Sequence, residues 1–261
     1  HFGVNNSMMD ESLMKLSNWY KRTGQIFLER EVHEELLERQ TSRTTDQIKP
    51  LIETYKNISF SHRREGVDIY KSINPLKQAL EKIDAMENTD LILKFEVLLD
   101  IGDTYTSYGR AQSGMNAYQE CWGLIDEDPS MSELIQERFS TPVKVRNILL
   151  PDTYPIPEVG EKNEADQTGY ISLRYTIGVS GKTTNIEVIE SDPDGLIERI
   201  AVSAIKKTVY RPVYIEAEPQ ESSAINFRHE FLYSIGSKPK DSNTSEPEEK
   251  IEDKPLENPI A

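Results

Sequence analysis

Along residues 169–235 the spacing of apolar residues runs at two, then at 3.6, then at two again. A period of two puts alternate side chains on one face of a strand; a period of 3.6 puts them on one stripe of a helix. Ile171, Leu173, Tyr175 and Ile177 alternate with Ser172, Arg174 and Thr176, which predicts a half-buried strand. Val179-Ser180-Gly181-Lys182 predicts a hairpin turn, with Gly181 supplying a positive φ, and Thr184–Glu190 predicts the returning strand. Ser191-Asp192-Pro193-Asp194-Gly195 predicts a helix start, with Ser191 or Asp192 as cap and Pro193 in the first turn. Ile197, Ile200, Ala201, Ala204, Ile205 and Val209 form the helical stripe, and Arg211-Pro212 ends it. Ile225, Phe227, His229, Phe231 and Tyr233 share one face of a last strand. The predicted order is β-β-α-β.

Gly181-Lys182-Thr183 lies inside this pattern and must be weighed as the end of a phosphate-binding loop. That loop needs a first glycine five positions before the second and a helix after the Thr. Thr176 stands where the first glycine belongs, and Thr184-Asn185-Ile186-Glu187-Val188-Ile189 is a β-branched strand sequence. A nucleotide site is excluded, and Lys182 reads as a solvated turn lysine.

The first half of the chain has helical spacing. Leu13, Leu16, Trp19 and Tyr20 mark one helix; Ile26, Phe27, Val32, Leu36 and Leu37 mark a second, with Gly24 between them. Residues 47–128 read as helical hairpins with a self-similarity at about 35 residues, a spacing that marks stacked supersecondary units. It aligns Tyr70 with Tyr105, Leu76 with Ala111, Ala79 with Gly114, Leu80 with Met115 and Ile83 with Tyr118. Residues 10–140 are expected to hold two to three such hairpins, with a groove able to take a partner peptide. Residues 141–167 contain four prolines and read as an extended linker. Residues 168–235 are the β-β-α-β domain. Residues 236–261 are acidic, lysine- and proline-containing and nearly without apolar side chains, which predicts disorder. The fold class is α+β.

Composition removes several function classes. The net charge of −15 with no dense Lys/Arg stripe opposes binding to nucleic acid or to an anionic membrane surface. One cysteine, Cys121, permits neither an intramolecular disulfide nor a cysteine metal cluster. The longest apolar runs are too short to span a bilayer. The chain starts at His1, which is expected where a signal or anchor segment has been removed or where the sequence is a fragment.

The stretch Thr168–Tyr233 resembles the C-terminal domain of the TonB family. The shared features are Gly169 before the first strand, the turn glycine Gly181, and the passage Val188, Ser191, Pro193 into the helix. They continue with Ala201 and Ala204 in the helix, Tyr210 and Pro212 at its exit, Phe227 and Phe231 in the last strand, and an upstream Tyr154-Pro155. Val97–Pro129 resembles a tetratricopeptide repeat: Leu98, Ile101, Gly102 and Tyr105 match its first helix, and Gly114, Tyr118 and Pro129 approximate the second.

The TonB resemblance implies a periplasmic protein of a Gram-negative bacterium that grips an extended segment of an outer-membrane transporter, or of another periplasmic protein, by β-strand addition. In the family the last strand is a sheet edge; here the implied partner-binding residues are Ala224, Ile225, Asn226, Phe227, Arg228, His229 and Glu230, with Tyr154 and Pro155 as further candidates. The absence of proline in Ala224–Tyr233 keeps the backbone donors available. An inner-membrane motor complex becomes a partner if an anchor precedes these residues. The alternatives are a periplasmic scaffold that has kept the fold without transducing energy, and a homodimer formed through the sheet edge.

No catalytic, cofactor-binding or metal-binding set is expected, and the chain is not read as an enzyme. His33-Glu34-Glu35-Leu36-Leu37 fails the zinc-protease spacing because position 37 is Leu. Asp192-x-Asp194-Gly195 lacks the downstream ligands of a calcium loop and reads as turn and cap. His229 on the apolar face reads as a core histidine, and Cys121 as a small buried hydrophobe. Trp19 and Trp122 read as packing residues, with a groove role as the alternative.

Overall fold

A computed structural model describes residues 7–43, 48–155 and 167–234. The described part of the N-terminal half is helical. It comprises α1 (Ser7–Arg22), α2 (Ile26–Thr41), α3 (Ile48–Glu65), α4 (Ile69–Asp84), α5 (Leu91–Ser107), α6 (Ala111–Glu127) and α7 (Met131–Phe139). The sheet elements are β1 (Val143–Arg146), β2 (Thr153–Pro155), β3 (Gln167–Ile177), β4 (Thr183–Asp192), β5 (Val209–Arg211), β6 (Val213–Ile215), β7 (Glu218–Gln220) and β8 (Ser222–Ser234), with α8 (Glu198–Lys207) after β4. The expected acidic tail, 236–261, lies outside the described residues, as do 156–166 of the expected linker.

Local chemistry sets the helix limits. Gly24 takes φ +73° between α1 and α2, as expected for a residue that closes one helix before the next. Asp68 caps α4 by accepting from the Tyr70 N–H at 2.9 Å, and Asp90 caps α5 by accepting from the Leu93 N–H at 3.1 Å. That hydrogen bond, followed by the one from Lys49, holds the Asp90 carboxyl below its ordinary range.

The helices pair as antiparallel hairpins, α1 with α2, α3 with α4 and α5 with α6, the architecture expected of stacked helical repeats. Their period differs from the 35 residues read from the sequence. α3 and α5 begin at Ile48 and Leu91, 43 residues apart, and α4 and α6 at Ile69 and Ala111, 42 apart. The helices of 16 to 18 residues are longer than the short sequence alignment allowed for. The signal at the true period is a buried small residue in the first helix of each pair: Ser17, Ser59 and Gly102. A Cβ on Gly102 would collide with the Tyr118 ring, so the close crossing of α5 and α6 requires glycine there.

Three apolar clusters run through the helical array: Leu13, Val32 and Leu36 between α1 and α2; Ile52, Ile73, Leu76, Ile83 and Val97 in the middle; and Phe95, Leu98, Tyr118, Leu124, Ile135 and Phe139 around α5 to α7. Tyr214 of β6 belongs to the third cluster, with its ring 5.0 Å from Phe139 and 5.3 Å from Tyr118. Helices and sheet elements therefore share a core at this point.

The described residues divide into two compact units. One lies within His1–Leu150 and Ile171–His229, the other within Pro151–Tyr170 and Glu230–Ala261. The main sheet has the strand order β2-β8-β3-β4. β3 alternates as expected, with Ile171, Leu173, Tyr175 and Ile177 each at most 2 % exposed. The β3–β4 turn closes through Gly178 N–H to the Lys182 carbonyl at 2.9 Å and Gly181 N–H to the Gly178 carbonyl at 2.8 Å, with Gly181 at φ +78°.

Three expectations are corrected. The helix after β4 starts at Glu198 rather than within Ser191–Gly195, because β4 runs on through Asp192 and Gly195 turns the chain at φ +79°. The Gly195 N–H donates to Glu198 Oε1 at 3.0 Å, so the turn and the first helical residue are tied together. Ile200 is 47 % exposed and lies outside the buried stripe of Ala201, Ala204 and Ile205. Val209 belongs to a strand rather than to the helix.

The order is also richer than β-β-α-β. β5 pairs antiparallel with β1, Val143 against Arg211, so the first residues of the expected linker 141–167 join the sheet elements. β6 and β7 form a hairpin in which Ile215 faces Glu218 across a two-residue turn. Its turn residues, Glu216 and Ala217, take φ +49° and +66°.

Candidate partner-binding strand and its support

All seven residues from Ala224 to Glu230 lie in β8, and Tyr154 and Pro155 lie in β2. Along β8 the alternation is regular: Ile225, Phe227 and His229 are half-buried, Asn226, Arg228 and Glu230 are exposed, and Phe231 and Tyr233 are buried. His229 is therefore not a fully buried core histidine; its ring stacks on Phe227 at 6.5 Å with planes 9° apart. Lys144 of β1 sits 5.3 Å from the Phe227 ring centre on the same strand face. Ala224 takes φ +56°, a left-handed kink at the start of the candidate segment.

β2 pairs with β8 in parallel, Thr153 against Leu232, Tyr154 against Tyr233 and Pro155 against Ser234. The Leu232 N–H donates to the Asp152 carbonyl at 2.8 Å. The Tyr154 ring meets Phe231 edge-on at 5.2 Å. Burial, and then the Asp152 charge, raises the Tyr154 hydroxyl above its ordinary pKa, and that buried oxygen has no hydrogen-bond partner among the described residues. The Tyr233 hydroxyl donates to Gln167 Oε1 at 2.8 Å. The candidate Tyr154-Pro155 pair is thus brought against the C-terminal end of the last strand, where it forms the outer strand of the sheet in that register. The expectation that the whole of Ala224–Tyr233 is an outermost edge needs this adjustment: β2 accompanies its last residues.

At the other end of the sheet elements, the support comes from α5. Arg211 of β5 donates through Nη1 to Asp103 of α5 at 3.2 Å, and the side chains are 5 % and 14 % exposed. Asp103 also accepts from the Tyr118 hydroxyl at 2.8 Å, and that hydroxyl lies 3.2 Å from Thr106 Oγ1. Burial, then the Asp103 charge, pushes the Tyr118 hydroxyl well above its ordinary pKa. The Tyr210 N–H donates to the Gly181 carbonyl at 2.9 Å. A Cβ on Gly181 would strike the Tyr210 carbonyl, so the turn glycine serves a close approach as well as a positive φ. The hydroxyls of Tyr175 and Tyr210 lie 2.6 Å apart in the buried interior. Sequence reading missed Asp103 and Arg211. They lie 108 positions apart, and an isolated Asp or Arg in an amphipathic helix or short strand carries no local signal.

The residues weighed for chemistry fall elsewhere. Cys121 is fully buried, and desolvation drives its thiol pKa upward, away from thiolate reactivity. His33 is buried in α2, and desolvation followed by the Lys21 charge pushes its pKa down to about 4. Trp122 is half-buried with its ring 5.9 Å from Phe139, while Trp19 is 53 % exposed. Among the described residues no cluster of His, Cys, Asp or Glu could hold a metal ion, and no helix is long and apolar enough to cross a membrane.

No curated protein matches the chain. The family model described as the Gram-negative bacterial TonB protein C-terminal matches residues 160–231, a range that takes in β3, β4, α8 and β8 up to Phe231. That family comprises protein-interaction and energy-transduction domains of the Gram-negative envelope, and its match coincides with the stretch whose period switches and turn glycine first suggested it. Behind seven helices of a stacked array, residues 160–231 of this chain carry a domain of the TonB C-terminal family.

Proposed function

We propose that this is a TonB-like envelope protein that takes up an extended segment of an outer-membrane transporter, or of another envelope protein, by strand addition along Ala224–Glu230 of β8. In this reading it works in the periplasm and contributes to TonB-dependent transport, with an inner-membrane motor as a further partner where an anchor segment precedes it. One observation carries the reading most directly. The family match ends in β8, a 13-residue strand that β2 pairs with over Leu232–Ser234. A strand offers main-chain groups for affinity and alternate side chains for specificity.

A second reading has its own support. The buried Arg211–Asp103 pair fastens β5 to the helical array, which suits a scaffold that holds two partners without transmitting energy. A pull-down from detergent-solubilised bacterial envelopes separates the two, with the Asn226→Pro, Arg228→Pro variant as control. Outer-membrane transporters recovered by the parent and lost by the variant support strand capture. Soluble partners recovered equally by both support the scaffold, and a stable dimer of the parent in light scattering supports self-pairing.

A further inference from the structure

Between α8 and the residues that follow β1 there is a groove that strand capture does not use. Its cavity, of about 670 Å³, is lined by Ile148 on one side and by Leu196, Arg199, Ile200, Ser203 and Lys207 on the other. Leu196, Ile200, Ser203 and Lys207 recur at spacings of four, three and four, with Arg199 beside Ile200, so they form one outward stripe along α8. The stripe is uncovered: Ile200 is 47 % exposed, and Leu149, next to Ile148, is 82 % exposed.

None of the residues lining the groove is acidic. Residues 140–150 and 195–207 together hold five cations, Lys144, Arg146, Arg199, Lys206 and Lys207, and one carboxylate, Glu198. That carboxylate is engaged at the start of α8, where its Oε1 accepts from the Gly195 N–H at 3.0 Å. Asp192 and Asp194 also precede the helix, at the end away from Lys206 and Lys207. Arg146 is held at the C-terminal end, where its guanidinium donates to the Lys207 carbonyl at 3.0 Å. Lys206 and Lys207 occupy the last turn, where the free carbonyls of the helix favour positive charge. Arg199, Lys206 and Lys207 have no ion pair among the described residues. In a chain with 30 Lys and Arg against 45 Asp and Glu, this groove reverses the prevailing sign.

We propose that the groove docks an acidic amphipathic helix of a partner protein, with its apolar side chains against Ile148, Leu196 and Ile200 and its carboxylates facing Arg199 and Lys207. Charge complementarity selects an acidic partner over a basic one. The walls select a helix over an extended segment. Backbone groups in the body of α8 are bonded within the helix and offer no ladder, whereas side chains at four-three-four spacing form ridges between which the ridges of a second helix fit. Ser203 and Ala204 are small enough to let that helix come close. From Arg199 to Lys207 the stripe runs about 12 Å at 1.5 Å per residue, which about two to three turns of a partner would cover. A flat anionic lipid surface suits the site less, because the groove is concave and the chain as a whole carries −15. No lining residue belongs to β8, so the docking does not rest on strand capture.

The test uses the full chain and a fluorescently labelled alanine-based helix of about 18 residues, long enough to be helical alone. It carries leucines at i, i+4, i+7 and i+11 with glutamates on both flanks. Anisotropy is compared with the same peptide carrying Gln for Glu, and with one of the same composition whose leucines share no face. Both controls are expected to bind about tenfold more weakly, as is the parent peptide to the Arg199→Gln, Lys207→Gln variant. Ile200→Ser should cost about as much. Arg199→Lys, Lys207→Arg should retain binding, and Asn226→Pro, Arg228→Pro should leave it unchanged. Arg199, Ile200 and Lys207 are exposed side chains, so their variants stay folded, which far-ultraviolet circular dichroism verifies. No binding of the Glu peptide, equal binding of the Glu and Gln peptides, or no effect of the double Gln variant overturns the proposal. Co-sedimentation with phosphatidylglycerol vesicles that the double Gln variant abolishes also overturns it, since the groove would then serve a lipid surface. A parent dimer in light scattering that the same variant dissociates overturns it in favour of a second copy.

Discussion

Arg211 and Asp103 meet 3.2 Å apart with both side chains largely withdrawn from water, one from a three-residue strand and the other from the middle of α5. Taking one partner away leaves a buried charge with no counterion. Asp103→Ala is expected to destabilise the fold by about 3 kcal/mol, more than a surface ion pair could account for. Urea denaturation checks this. A loss below 1 kcal/mol would mean that water replaces the carboxylate. The double variant Asp103→Leu, Arg211→Met should recover part of the loss, because it removes the buried charge as well.

Two glycines of the same hairpin should respond with opposite signs. At Gly102 a methyl group would drive into the Tyr118 ring, and overpacking of this kind costs about 2 kcal/mol for Gly102→Ala. At Gly123 of α6 nothing lies within 4 Å of the added carbon, so Gly123→Ala should stabilise by about 0.5–1 kcal/mol through helix propensity alone. Thermal melts of the two variants, measured side by side, decide the matter.

The β6–β7 turn holds two non-glycine residues at positive φ, Glu216 at +49° and Ala217 at +66°. Left-handed backbone costs an alanine about 1 kcal/mol. Ala217→Gly is therefore expected to raise stability by about that amount, and Glu216→Asn to add a smaller gain. A fall in the denaturation midpoint for Ala217→Gly would show that the alanine methyl makes a contact worth more than the strain.

The buried His33 and the half-buried Asp100 predict opposing pH dependences in the same acidic range. His33 has its pKa pushed down to about 4 by burial, so the unfolded chain takes up its proton first as pH falls from 6.5. Its stabilisation is complete above pH 6.5 and is lost as pH falls toward 4, by about 3 kcal/mol in total. Asp100 is pushed up to about 6, again by burial first, with Lys56 opposing and Asp103 adding to the rise. The folded state then holds the extra proton between pH 6 and 4, so its contribution grows as pH falls. His33→Gln should flatten the acid loss and Asp100→Asn should steepen it. Stability curves from pH 4 to 7 for the three proteins test both signs.

What the sequence conveyed depended on how local the signal was. The alternation of β3, the Gly178–Lys182 turn and the stripe of Ala201, Ala204 and Ile205 are neighbours along the chain and were legible. The helix start was misplaced because Ser191-Asp192-Pro193 satisfies the statistics of a cap while still belonging to β4. The repeat period was misread because aromatic and aliphatic residues recur loosely, whereas the geometric marker is a small residue at Ser17, Ser59 and Gly102. The β6–β7 hairpin had no Asn-Gly or Asp-Gly to announce it. In the candidate strand the residue set from Ala224 to Glu230 was placed on β8, but its neighbour β2 came from a Tyr-Pro read only as a further candidate. Nothing local marks a parallel partner.

Asp103 and Thr104 are consecutive on α5 yet serve different parts of the molecule: the first holds Arg211 of β5, and the second receives Arg63 of α3. Consecutive residues lie about 1.5 Å apart along a helix axis, so β5 and α3 are both fastened to the same turn of α5. A substitution that shifts this one turn disturbs both attachments together.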